Sequence, residues 1–181
     1  PDGWLPVPEL KNPREVFGGG WQSCALHDSG LRCWGSYFGT SNWHASHDRV
    51  PETLTKDVQS VSIKYITCAI SSWNGSNYLG CWDQYNSYDY PIVNPRQISV
   101  GGSEVCGVGS KGVQCFPLRK DYPSLNVPAL KNPVAVAVGS DSACAIDDDG
   151  LSCWNTSIPT GTVNRVEQIA AGLKVQRMQF K

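Results

Sequence analysis

Eight cysteines stand in four close pairs: Cys24 with Cys33, Cys68 with Cys81, Cys106 with Cys115, and Cys144 with Cys153. Three pairs are nine residues apart and the second is thirteen apart. Thiols this near can ligate zinc or oxidise to disulfides. Zinc knuckles leave about two to four residues between their cysteines, fewer than these spacings provide. A hairpin folded about Asp28 and Ser29 instead sets Leu26 opposite Leu31 and Cys24 opposite Cys33. Directly opposed residues at a non-hydrogen-bonded site have Cα atoms about 4.5 Å apart, at the lower edge of disulfide reach. Gly30, Gly112 and Gly150 follow the turns and can supply the positive φ that a short hairpin demands. In the second pair the hairpin loop is expected to be four residues longer, with strand pairing intact. Four local disulfides imply an oxidising compartment, so the chain is expected to be secreted or displayed at a cell surface.

The other reactive side chains form no catalytic pattern. Three histidines lie near no matched serine or cysteine nucleophile, so no triad is expected. A hydrolase would need convergent acids, and Asp83, Asp89 and Glu104 come without a supporting pattern. His44-x-x-His47 reads as a polar loop beside Asn42 and Ser46. Asp147-Asp148-Asp149-Gly150 lacks the alternating spacing and distal glutamate of a calcium loop, and it occupies the turn that Asp28-Ser29-Gly30 fills earlier. The expectation is a protein that is no enzyme and needs no metal or cofactor. Asn74-Gly75-Ser76 and Asn155-Thr156-Ser157 match the glycosylation acceptor pattern.

Binding chemistry is better represented. SYFGTSNWHASH (36–47), SSWNGSNY (71–78) and DQYNSYDY (83–90) place aromatic rings among Asn, Ser, Asp and His. Their candidate ligand-binding residues are Tyr37, Phe38, Trp43, His44, Trp73, Tyr78, Tyr85, Tyr88 and Tyr90. Rings give rigid amphipathic area, and amides and hydroxyls give adaptable hydrogen bonds. Sugars suit such a surface, because their C–H faces stack on rings while their hydroxyls meet Asn and Asp. The competing reading is that these rings pack loops onto the sheets.

Composition narrows the partners. Of 181 residues, 17% are charged, and 15 basic side chains nearly cancel 16 acidic ones. Nucleic acid needs a clustered basic face to replace phosphate counterions, so none is expected. No apolar run is long enough to insert in a membrane. The chain begins at Pro1, with Met178 its one methionine. It is therefore expected to be excised from a larger surface protein.

The elements that must position these residues repeat. The leading cysteines step by 44, 38 and 38 residues, from 24 to 68, 106 and 144. VPELKNPREVFGGGWQSCALHDSGLRCW (7–34) and VPALKNPVAVAVGSDSACAIDDDGLSCW (127–154) agree at 15 of 28 positions. Each unit reads as an alternating strand, a Gly-containing bend, a strand with the first cysteine, a turn, and a third strand. That strand ends in cysteine plus an aromatic: Trp34, Trp82, Phe116 or Trp154. Recurrence in register marks these tryptophans, and Gly19, Gly101 and Gly139, as structural. Pro8, Pro13, Pro128 and Pro133 exclude long helices from the connections. The fold expected is all-β, with propeller-type repeats in a partial or small β-propeller. Its single domain (1–181) would hold units at about 7–50, 51–90, 91–126 and 127–162, and a partial fifth at 163–181.

VFGGGWQSCALHDSGLRCWG resembles the repeat of the regulator of chromosome condensation superfamily of β-propellers. It is similar to the shorter, cysteine-bearing version of secreted and surface proteins, and QISVGGSEVCGV and VAVAVGSDSACAI match in kind. The resemblance covers residues 7 to about 155. A fifth copy begins at VEQIAAG (166–172), where Arg177 stands in place of the next cysteine, and Ile63 replaces the glycine of the second copy. Propellers of this superfamily usually close with about seven blades. Four units and a beginning leave three arrangements: a small ring, an open arc, or an arc completed by other subunits. The resemblance is specific for fold and not for function. The disulfides, the near-neutral charge, the aromatic loops and the missing active site favour an extracellular recognition or adhesion module for a glycan or protein of another cell, expected to form homo-oligomers. A protein-binding inhibitor or a receptor ectodomain, as in the crinkly type, is the alternative. Guanine-nucleotide exchange, known for the nuclear members, fits poorly with four disulfides.

Overall fold

A computed structural model describes residues 7–20, 22–35, 50–83, 86–119, 124–140 and 142–155. The chain divides into two compact units, Pro1–Asp89 and Tyr90–Lys181. The first holds a sheet of β1 (Glu15–Gly19), β2 (Gln22–His27) and β3 (Gly30–Gly35), then a four-stranded sheet. The latter comprises β4 (Val58–Ile63), β5 (Thr67–Trp73), β6 (Ser76–Trp82) and β7 (Ser87–Asp89). The second unit holds β8 (Gln97–Val100), β9 (Glu104–Gly109) and β10 (Gly112–Pro117), followed by β11 (Ala135–Val138), β12 (Ala143–Asp147) and β13 (Gly150–Trp154). Every pairing is antiparallel between neighbours in sequence. Among the described residues the one helical element is a 3-10 turn, Glu52–Leu54. The fifth copy expected from residue 166 lies outside the described residues.

The disulfides follow from hairpin arithmetic. His27 pairs with Gly30, Gly109 with Gly112 and Asp147 with Gly150, each pair closing a two-residue loop. Hydrogen-bonded and non-hydrogen-bonded pairs alternate along an antiparallel ladder, and side chains approach more closely at the latter. Three rungs from the closing pair the cysteines meet at a non-hydrogen-bonded site. Cys24–Cys33, Cys106–Cys115 and Cys144–Cys153 are bonded there, with Cα separations of 4.0, 4.1 and 4.0 Å. Gly30, Gly112 and Gly150 take φ of +110°, +83° and +110°.

The second hairpin corrects the expectation of a longer loop. Its four extra residues extend the strands by two rungs, Ser72↔Asn77 and Trp73↔Ser76, and the loop remains two residues, Asn74 and Gly75. Both have positive φ (50° and 78°), the type I′ turn whose twist matches the strands it joins. Two added rungs preserve the alternation, whereas one would send every side chain to the opposite face. Cys68 and Cys81 therefore still meet, with Cα atoms 4.0 Å apart. Within the aromatic segment 83–90, Ser87–Asp89 add β7 to the edge of this sheet, a strand the sequence did not announce.

A left-handed asparagine, or an aspartate ahead of β4, sets the entry into each sheet. Asn12, Asn94 and Asn132 have φ of 47°, 47° and 48°, and Asp57 has 50° ahead of β4. The bend clamps the chain to its own hairpin tip. Asp28 N donates to Lys11 O at 2.9 Å, Ser110 N to Val93 O at 2.8 Å, and Asp148 N to Lys131 O at 2.9 Å. Asn12 Nδ2 adds a bond to Asp28 at 2.7 Å, and Asn132 Nδ2 one to Asp148 at 2.6 Å. The Leu-Lys-Asn-Pro motif is thus a clamp, and it engages the acids of 147–149. Asp147 accepts from Lys131 N and Asp149 N at 2.9 and 3.0 Å, while Lys131 Nζ lies 2.8 Å from Asp149.

Each unit buries its own core. In the first, Leu26, Leu31, Leu54, Val61, Ile63 and Trp82 pack about the Cys24–Cys33 disulfide. In the second, Val108, Val136, Val138, Ala145 and Trp154 pack with Cys106. Trp82 and Trp154 are buried and Trp34 is half-buried. Gly19 lies against the Ile63 carbonyl and Gly101 against that of Gly139, where any Cβ would collide. These glycines let neighbouring sheets approach backbone to backbone.

Candidate functional site

Of the nine aromatic and histidine candidates, Tyr37, Phe38, Trp43, His44 and Tyr85 lie outside the described residues. Trp73 ends β5, opposite Ser76. Tyr78 sits on β6 and Tyr88 on β7, and the register separates them. Tyr88 stands opposite Cys81 and Asp89 opposite Gly80. Alternation places Tyr78, Gly80 and Asp89 on one face, and Cys81 and Tyr88 on the other. The cluster read from sequence is therefore two-sided here.

Each described tyrosine has its own partner. The Tyr78 hydroxyl donates to the Asp89 carboxylate. Burial, with that bond and the Asp89 charge, pushes the phenol up to about 12, so it stays protonated at neutral pH. The Tyr88 hydroxyl donates to Asp83 at 2.7 Å, and the other Asp83 oxygen accepts Asn86 N at 2.7 Å. The Tyr90 ring lies 5.8 Å from that of Phe116, tilted by 38°, and burial raises its phenol as well. On Tyr88's face an amide ladder crosses three strands. Gln59 Nε2 donates to Ser72 Oγ at 2.6 Å, Ser72 Oγ to Asn77 Oδ1 at 2.8 Å, and Asn77 Nδ2 to Gln59 Oε1 at 3.1 Å. Sequence reading missed Gln59, because its ladder partners are far along the chain. Rings, fixed carboxylates and amides on one sheet can stack on and hydrogen-bond to a ligand.

The third acid is placed differently. Glu104 is fully buried, its Oε1 accepting from Leu125 N and its Oε2 without a partner. Its carboxylate lies close to the sulfurs of Cys106 and Cys115, which are bonded to each other and so are not available as thiolate ligands. Burial raises the Glu104 carboxyl above its ordinary value of 4.5, against the opposing effect of the Leu125 bond. The native state thus holds this proton more tightly than the unfolded chain. The group's contribution is full below the unfolded value and is lost as pH rises through the folded one. Glu104→Gln should remove that slope, because the amide does not titrate. Urea midpoints of both proteins, taken across the mildly acidic range, check this.

No protein-family model and no curated protein sequence matches the chain, but solved structures do. The CRINKLY WD40 ectodomain of the Arabidopsis thaliana receptor kinase ACR4 superimposes with a TM-score of 0.63 at 27% identity, over 92% of this chain and 59% of that one. The structure of Kap60 bound to yeast RCC1 (Prp20) matches with a TM-score of 0.64 at 12% identity, over 87% and 52%. Human WBSCR16 matches at 0.62 and 13%, over 90% and 56%. The chain spans little more than half the length of these solved chains. The fold is that of an all-β, propeller-type repeat protein. Within that class, the disulfide-bearing units are similar to RCC1-like propellers. Four intramolecular disulfides suit an oxidising environment. Among the described residues, no helix is long and apolar enough to cross a membrane.

Proposed function

We propose that the chain is an extracellular recognition module, secreted or at a cell surface, that binds a glycan or protein of another cell through its aromatic-rich segments. The observation that carries this reading is the likeness to a receptor-kinase ectodomain, in a chain with one disulfide in each described sheet. Tyr78 and Tyr88, with their fixed carboxylates, supply ring faces and acceptors of the kind sugars and polar peptide surfaces use. Tyr37, Phe38, Trp43, His44, Trp73, Tyr85 and Tyr90 are the further candidate ligand-binding residues of this reading. Residues 1–181 act as one repeat domain in this reading. Homo-oligomers multiply weak single-site contacts by avidity.

The alternative is a protein-binding inhibitor or receptor ectodomain, favoured by the same likeness. Guanine-nucleotide exchange would place the disulfides in a reducing compartment and is disfavoured. A glycan-array screen of the labelled, non-reduced protein tests the first reading, with soluble competitor sugar as control. Selective binding abolished by the competitor supports a glycan. Binding to cells that no sugar displaces supports a protein partner.

A further inference from the structure

The repeat contains its own control for one residue. Residues 27 and 147 occupy the same position, the last of the second strand before the hairpin turn. In the fourth copy it is Asp147, whose two oxygens accept Lys131 N and Asp149 N and fix the tip. The first copy keeps the same clamp, with Asp28 N on Lys11 O and Asn12 on Asp28, but carries His27. That imidazole cannot accept two bonds as a carboxylate does. His27 is 7% exposed, and its Nδ1 is buried without a hydrogen-bond partner. An orphaned buried nitrogen is costly and calls for a reason.

His27 also borders a cleft of about 590 Å³, whose charged lining residues are Lys11, Arg32 and Glu9. Arg32 stands opposite Ala25, on the same face of the hairpin as His27 and one diagonal step away. Ser29 and Thr55 add hydroxyls to the lining. Two cations against one anion leave a single net positive charge, which matches a carboxylate better than a dianion. Leu31 and Val50 provide apolar wall, suited to the carbon skeleton behind the charged group.

We propose that this cleft binds the carboxylate of an acidic ligand, with His27 donating a ring N–H and Arg32 and Lys11 balancing the charge. Rotating the ring about χ2 exchanges Nδ1 with Cδ2 at nearly unchanged shape, so the orphaned nitrogen can turn towards an arriving acceptor. The site lies on the first sheet and does not depend on the aromatic candidates.

The test uses long-range ¹H–¹⁵N spectra of the His27 ring while the intact, oxidised protein is titrated with glucuronate, glucose or inorganic phosphate. Glucuronate should shift the ring signals saturably in the millimolar range, glucose should leave them in place, and phosphate should act more weakly. His27→Asp installs the fourth copy's solution. It should keep the melting temperature and abolish the glucuronate-induced shifts of the Ser29 and Arg32 amides. Lys11→Gln, at an exposed position, should weaken glucuronate binding about fivefold. No saturable shift with glucuronate, an equal response to glucose, tighter binding of phosphate, unchanged binding in His27→Asp, or unchanged affinity in Lys11→Gln would each overturn the proposal.

Discussion

Reducing the four disulfides should unfold the chain. Each closes a short hairpin, its cysteines nine or thirteen positions apart, and such a loop contributes about 2–3 kcal/mol in the chain-entropy model. Four together contribute about 10 kcal/mol, as much as the whole net stability of an ordinary domain. The sheets have only three or four strands each, and their cores pack directly against the bonded cysteines. Circular-dichroism melts with and without reductant check this. The oxidised chain should melt cooperatively and the reduced chain should show no transition. Removing one bridge, with Cys144→Ala and Cys153→Ala together, should cost about 2–3 kcal/mol. A reduced chain melting within a few degrees of the oxidised one would contradict the disulfides' role in stability.

Gly30→Ala should be the most damaging of the small substitutions, lowering stability by about 3 kcal/mol or more. Two independent costs meet at this position. The backbone is at φ +110°, which a side chain rarely adopts, and the Thr55 carbonyl fills the space of a Cβ. Thr55 cannot retreat freely, because its carbonyl accepts Leu31 N at 2.9 Å and joins the first hairpin to the entry of the second sheet. Gly75→Ala is the matched control. Its φ is +78°, but no atom lies within 4 Å of the added carbon, so only the conformational cost of about 1 kcal/mol remains. Thermal melts of the two variants should differ by several degrees. Equal shifts would mean that the contact with Thr55 does not constrain the fold.

The contrast between these glycines shows where sequence reading stops. The turn glycines were legible, because a hairpin folded about the cysteine pairs demands positive φ at Gly30, Gly112 and Gly150. The clash at Gly30 was not, since Thr55 comes from a connection with no pattern of its own. Four extra residues in the second hairpin fit a longer loop or two more rungs equally well by counting. The deciding signal was Asn74-Gly75, a strong two-residue turn pair. Strand β7 escaped notice because three residues show too little alternation, and its pairing to β6 creates it. The left-handed bends at Asn12, Asp57, Asn94 and Asn132 were not legible, since only the first and fourth copies share the Leu-Lys-Asn-Pro spelling.

The candidate surface was legible as chemistry and not as geometry. Tyr78, Tyr88 and their neighbouring acids stand out by composition. That Tyr78 pairs with Asp89 and Tyr88 with Asp83, on opposite faces of one sheet, depends on register, which a stretch of eight residues does not encode. His27 was visible as a departure from Asp147 in the aligned copies, but its cleft draws on residues 9 to 55 and exists only once they fold together.

The reading of the chain as a recognition module is tested most directly by the binding of the oxidised protein to a glycan array beside a Trp43→Ala/Tyr88→Ala variant of unchanged melting temperature. We predict selective binding by the wild type and its loss in the variant. A variant that binds as the wild type does would contradict the role given to the aromatic segments, and a blank array with intact disulfides would contradict the glycan reading.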